Sequence, residues 1–238
     1  GSLFYFQNGY VNNSGLINLQ QGTLSFYTAT LTNLAGGTLQ ANSGAIIAND
    51  VSSETYLLPG SFLNAGSPNA YQVNSGNVHL RTAGLSLPSL LIAGGTLHQE
   101  TNQVPAAINQ SGGVWRLHLP TIVDTYNLTN GELRGANLTI NNFNWQGGSL
   151  NSENAGSNTV TVPAGGTLNI SSATAKSLSD YSGGNGRRLI NQGNGVWNGA
   201  GITVSHGARF INQGSLALTG DVSLANGGGT GIPALENQ

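Results

Sequence analysis

The pentapeptide Ala-Gly-Gly-Thr-Leu occurs three times in the chain, at Ala35–Leu39, Ala93–Leu97 and Ala164–Leu168. Its core, a Gly, any residue and then a large apolar residue, recurs far more often. The apolar members are Leu24, Ile46, Phe62, Val78, Leu97, Trp115, Leu133, Leu150, Leu168, Trp197 and Leu216. From Phe62 to Leu168 their positions advance by 16, 19, 18, 18, 17 and 18. Near the N-terminus the phase is looser, and Leu39 can stand in for Ile46. A second motif, apolar-Asn-Asn/Gln before Gly or Ser-Gly, appears from Val11, Ile108, Ile190 and Ile211. Self-similarity at a short fixed period is the mark of a repeat architecture.

The chemistry between the anchors selects the kind of repeat. The segments VHL, LTI, TVTV, TLNI, ITV and SLAL alternate apolar and polar residues, the pattern of strands with one buried face. Gly and Asn lie between them, the residues that most readily accept a positive φ in tight turns. No stretch carries the periodicity of an amphipathic helix. About 18 residues are too few for a strand, a crossover helix and a second strand. They suit two or three short strands wound once around a solenoid. The expected fold is therefore all-β, a right-handed parallel β-helix whose coil matches the anchor period of about 18, running as one segment over residues 1–238. Leu97, Trp115, Leu133, Leu150 and Leu168 are expected in one interior ladder. Trp115 and Trp197 share that phase, and Trp145 falls outside it. Asn side chains are expected to form ladders from coil to coil, satisfying polar groups that are costly to bury alone.

Charged residues make up 7% of the chain and the formal net charge is −2, so nothing global steers it to nucleic acid. Thirty Asn and 36 Gly supply polarity in place of charge. Zero Cys excludes disulfides, thiolate metal sites and thiol catalysis. No apolar run reaches the roughly 18 residues that would span a bilayer as a helix. Gly1-Ser2 reads as a cloning remnant that could extend into residues 1–10, and the motif cut at Gln238 leads us to expect a longer parent protein.

The step from Leu168 to Trp197 is 29, one period plus about 11. Residues 171–189 are accordingly expected to form a loop insertion. That loop holds Lys176, Tyr181, Arg187 and Arg188, and a loop on a rigid scaffold is a usual place for binding.

NWQGGSL, VPAGGTLNIS, LINQGNGVWNGAGITVSHGARFINQGSLAL and the recurring INQG resemble bacterial extracellular β-solenoid surface proteins. These are adhesin-type repeat proteins such as filamentous haemagglutinin and autotransporter passengers. The resemblance implies location at the bacterial outer surface or in the medium, and a role as stalk or adhesin. It carries over no catalytic residue and no cofactor.

If the register holds, the residue after each anchor lies in one outward column: His79, His98, Arg116, Arg134, Asn151, Asn169 and Asn198. Two residues further on come Arg81, Glu100 and His118. The face of His79, Arg81, His98, Arg116, His118 and Arg134 is thus the candidate ligand strip, for an acidic or sulfated glycan or a host or cell surface. The other reading is a solvated strand face on which Glu100 balances its neighbours. His98, Glu100 and His118 are close enough in this register to suggest a metal, but Arg81 and Arg116 oppose a cation there, and no metal is expected. A polysaccharide-binding or polysaccharide-degrading module is the alternative function. Its chemistry needs paired carboxylates, and the nine here are scattered. Asp50 with Glu54, and Asp124 with Tyr126, come nearest. No enzymatic activity is expected.

Overall fold

The computed structural model describes residues 2–153, 158–180, 186–229, 232 and 234–238, with the side chain of Asp180 excepted. Thirty strands and no helix occur among the described residues, so no helix is long and apolar enough to cross a membrane. The chain divides into two compact units, Gly1–Leu119 and Pro120–Gln238, each taken by itself below. Both are parallel β-solenoids, as the alternating segments and Gly/Asn turns predict.

In the first unit each coil contributes strands to two or three parallel stacks. One stack runs Leu3–Gln7, Gly22–Tyr27, Ala45–Asp50, Tyr71–Val73, Ser89–Ile92 and Ala107–Gln110. The second runs Tyr10–Asn13, Thr30–Asn33, Glu54–Leu57, Asn77–Leu80, Thr96–Gln99 and Val114–Leu117. The third holds Leu16–Leu19, Thr38–Ala41, Phe62–Ala65 and Gly84–Ser86. Along the second stack Leu31, Thr55, Val78, Leu97 and Trp115 stand in register, and all five are buried. From coil to coil their positions advance by 24, 23, 19 and then 18. The coil shortens as the third strand shrinks to Gly84–Ser86 and then drops out.

The second unit lengthens its coils instead. Thr121–Leu128 and Leu138–Trp145 are long strands paired side by side. On the next coil the same width is covered by two strands, Thr159–Val162 and Thr167–Ser172, both paired to Leu138–Trp145. The Pro163–Gly166 turn between them adds length. Leu133 to Leu150 is a step of 17, whereas Leu150 to Leu178 is 28 and Leu178 to Val204 is 26. The fixed period expected from the anchors thus gives way to a variable coil that averages near 22.

Two expectations are corrected by this. The described part of residues 171–189 is not a loop throughout, because it contains the strand Lys176–Asp180, the end of Thr167–Ser172 and the start of Arg188–Asn191. The expected interior ladder also loses one member, Leu168. Leu97 meets Trp115 in the first unit, and Leu133, Leu150 and Leu178 stack in the second. Leu168 is buried on another face, between Phe143 and Gly195, because the extra strand shifts its phase. On that same face Leu128, Trp145, Ile170 and Trp197 form one buried column. Trp145 and Trp197, placed in different phases by the sequence count, therefore share a ladder.

The Asn ladders form as expected. Asn13 Nδ2 donates to Asn33 Oδ1 at 2.8 Å, and Asn191 and Asn212 continue the same way to Asn237, each at 2.8 Å. Side-chain amides suit this role because one end donates while the other accepts along the stack. Gly76 shows why the turns need glycine. Its φ is +66°, and a Cβ there would lie 2.0 Å from the Ser53 carbonyl oxygen of the preceding coil. Leu133 is fully buried, so Leu133→Ala should lower the unfolding free energy by about 2–5 kcal/mol. Urea denaturation followed by circular dichroism measures it. A change within error would place Leu133 outside the core.

Candidate functional site

The second stack of the first unit carries most of the predicted strip. Glu54–Leu57, Asn77–Leu80, Thr96–Gln99 and Val114–Leu117 alternate half-buried and buried residues. The buried positions are the interior column, so the positions between them face outward. Tyr56, His79, His98 and Arg116 are in register on successive coils. Arg81, Glu100 and His118 follow two residues later on their own coils.

Stacking produces an outward ladder of rings. Tyr56 and His79 lie 4.6 Å apart at 12°, His79 and His98 4.4 Å apart at 4°, and His98 and His118 5.4 Å apart at 28°. The Arg81 guanidinium sits 5.5 Å from the Tyr56 ring centroid, within the range of a cation–π contact. His98 Nδ1 is 3.1 Å from His118 Nε2.

Carboxylates hold the cations of this face. Arg81 Nε donates to Glu100 Oε2 at 2.7 Å. Glu100 Oε1 lies 2.7 Å from His79 Nδ1, and Glu54 Oε2 lies 3.5 Å from His79 Nε2. Burial alone would raise the Glu100 carboxyl, but the bonds from Arg81 and His79 outweigh it and hold the group below its ordinary range. His98 is pushed down to about 4, first by burial and then by the charges of His79, His118 and Arg116, against a smaller opposing pull from Glu100.

Five of the six strip residues, His79, Arg81, His98, Arg116 and His118, are thus brought together on one face. Arg134 belongs to the second unit, where it pairs with Glu132 and lies 3.8 Å from Glu153. The strip is a mixed-charge face and not a row of cations. His98 stays neutral to about pH 4 and so adds no positive charge to this face near neutral pH. Tyr56 was missed by the sequence reading, and Glu54, named there only beside Asp50, was not placed on this face. Their coil has Thr55 as its buried anchor, and a search for Gly-x-apolar units chooses Ile46 and Phe62, which lie on other stacks.

The second group of predicted residues does not form a binding loop. Lys176 is buried, and its Nζ donates to the Ser172 and Thr174 carbonyl oxygens at 3.0 Å each. Arg187 is fully buried and donates from Nη1 to the Gly135 and Asn151 carbonyl oxygens at 2.5 and 3.1 Å. Arg188 lies in a strand, between Thr159 and Arg209. Tyr181 lies outside the described residues.

Nor do the carboxylates named for catalysis converge. Asp50 bonds Ser25 and Asn74, while Glu54 bonds Asn77. Asp124 is exposed and accepts from Asn141, while Tyr126 is buried. Compared with family profiles, curated proteins and solved structures, the chain matches none.

The His98 value fixes a pH dependence. The unfolded imidazole titrates near 6.5 and the folded one near 4. Between these values the unfolded chain binds more protons, so the contribution is complete above 6.5 and is lost as pH falls toward 4. Chelator-treated wild type should therefore lose stability from about pH 7 to about pH 5, and His98→Gln should lose less. Chemical denaturation at the two pH values measures this, and equal losses would contradict it.

Proposed function

We propose that the chain is a structural segment of a secreted or cell-surface adhesin-type protein, a β-solenoid that serves as a stalk and presents outward strand faces. The observation that carries this reading is the division of labour within each strand. Inward positions form closed apolar and amide columns, while outward positions hold polar side chains engaged mostly with one another. The resemblance in the INQG and AGGTL motifs supports an extracellular setting, and the absence of Cys from the sequence fits that setting.

A second reading is adhesive. The ladder Tyr56–His79–His98–His118 offers ring edges and amphipathic surface beside Arg81 and Arg116, a face on which a sulfated or acidic glycan could lie. The pairing of Arg81 with Glu100 and the neutral His98 weigh against strong attraction of anions. A polysaccharide-binding or polysaccharide-degrading module remains the alternative.

Antibodies against the segment should label intact, unpermeabilised source cells or their medium, and labelling only after lysis would overturn the extracellular reading. On a glycan panel the stalk reading expects no saturable binding. Saturable binding of acidic glycans that weakens with salt and is lost in Arg116→Ala would move the function to the adhesive reading. Release of unsaturated or reducing ends from a polysaccharide would move it to the degrading one.

A further inference from the structure

The outward face of the first unit gathers three imidazoles and two carboxylates that the stalk role does not use. Two pairs of their donor atoms already stand at short range. His98 Nδ1 and His118 Nε2 are 3.1 Å apart, and His79 Nδ1 and Glu100 Oε1 are 2.7 Å apart. Around a tetrahedral zinc ion with bonds of about 2.0–2.2 Å, neighbouring ligand atoms are separated by roughly 3.3–3.6 Å, so each pair need open by less than about 1 Å. One donor atom from each of His79, His98 and Glu100 also lies within 4.8 Å of the other two. We propose that His79, His98 and Glu100, with His118 as a fourth donor, form a binding site for a divalent first-row transition-metal ion.

The donor set selects the class of ion. Imidazole with a single carboxylate suits zinc, copper, nickel or cobalt, whereas magnesium and calcium require oxygen ligands in greater number. Of the two arginines that argue against a cation on sequence grounds, Arg81 is placed so that it need not oppose it. Arg81 binds chiefly Glu100 Oε2, at 2.7 Å, with a longer 3.4 Å contact to Oε1. One carboxylate can hold a guanidinium with one oxygen and an ion with the other, and ligating carboxylates are commonly hydrogen-bonded in this way. Arg116 stands in register beside His98 on the following coil.

Glu54 has a defined part. With the ion on His79 Nδ1, the imidazole proton resides on Nε2, facing Glu54 Oε2 at 3.5 Å. A carboxylate behind a ligating histidine fixes its tautomer and raises its basicity. His79 and His98 now lie face to face at 4.4 Å, so one ring must turn about its side-chain bonds to aim its lone pair. Both are half-buried on an outward face, with solvent on the open side. The ion would join the strands Asn77–Leu80 and Thr96–Gln99 to His118, the residue after Val114–Leu117.

This site does not depend on the stalk reading, and negative glycan or surface-labelling results leave it untouched. The test is a titration of the whole chain with zinc chloride, read by NMR of the imidazole ring nitrogens. The four histidines report separately without any substitution. The resonances of His79, His98 and His118 should move saturably with one ion per chain, and those of His206, in the second unit, should not. Calcium and magnesium should move none. His98→Gln, His118→Gln and Glu100→Gln should each weaken zinc binding by about tenfold or more, with Glu54→Gln about tenfold weaker through its effect on His79. Absence of a saturable zinc response in the wild type would overturn the site, as would an equal response of His206. So would wild-type affinity in both His98→Gln and Glu100→Gln.

Discussion

Parallel, in-register pairing of one coil on the next is the constraint on which the rest depends. Each residue meets its counterpart about 4.8 Å away in the next coil. Whatever occupies a position is therefore judged against a near-copy of itself. Apolar residues and flat rings gain from this, as in the Leu128–Trp145–Ile170–Trp197 column. Asparagine gains as well, since its amide donates up the stack and accepts from below, as from Asn191 through Asn212 to Asn237. Like charges lose, which fits the scarcity of ions and the placing of opposite charges on successive coils at Arg81 and Glu100 and at Arg209 and Glu236. Arg188 and Arg209, in register on neighbouring coils, are an exception.

The same pairing tolerates a changing coil length, because the ladder needs matched strands and not matched turns. The first unit removes a strand and its coil shortens from Leu97 to Trp115; the second divides a long strand in two and its coil lengthens from Leu150 to Leu178. Residues added in this way are drawn into the core. Lys176 and Arg187, which look from the sequence like the charges of a solvated loop, are buried, and the Lys176 ammonium and the Arg187 Nη1 are met by backbone carbonyl oxygens. Carbonyls that are left over at a turn can receive such donors, which lowers the cost of burial without an ion-pair partner.

The candidate face was legible in part. His79, His98 and Arg116 align because Val78, Leu97 and Trp115 are true partners in one column, and the Gly-x-apolar rule reads these coils correctly. It fails one coil earlier, at Thr55. There a hydroxyl takes the inward place and bonds Asn49 Oδ1 at 2.7 Å, so the anchor is polar and escapes notice. Glu54 and Tyr56 are left off the face with it. Their absence makes the face look more cationic than it is, and hides the second carboxylate beside His79.

Alternation, turn residues and repeat spacing are local properties, and they determined by themselves that this chain forms parallel strands wound into a solenoid with apolar and amide columns inside. What the tertiary structure decided is which residues meet. A coil's length depends on how many strands it takes to go round, and that number changes along the chain. Once it changes, counting at a fixed period assigns Leu168 and Trp197 to the wrong column and Arg187 to the wrong side of the wall. The ring ladder and its carboxylates arise the same way, from side chains a full coil apart in sequence that only the register of neighbouring coils brings into contact.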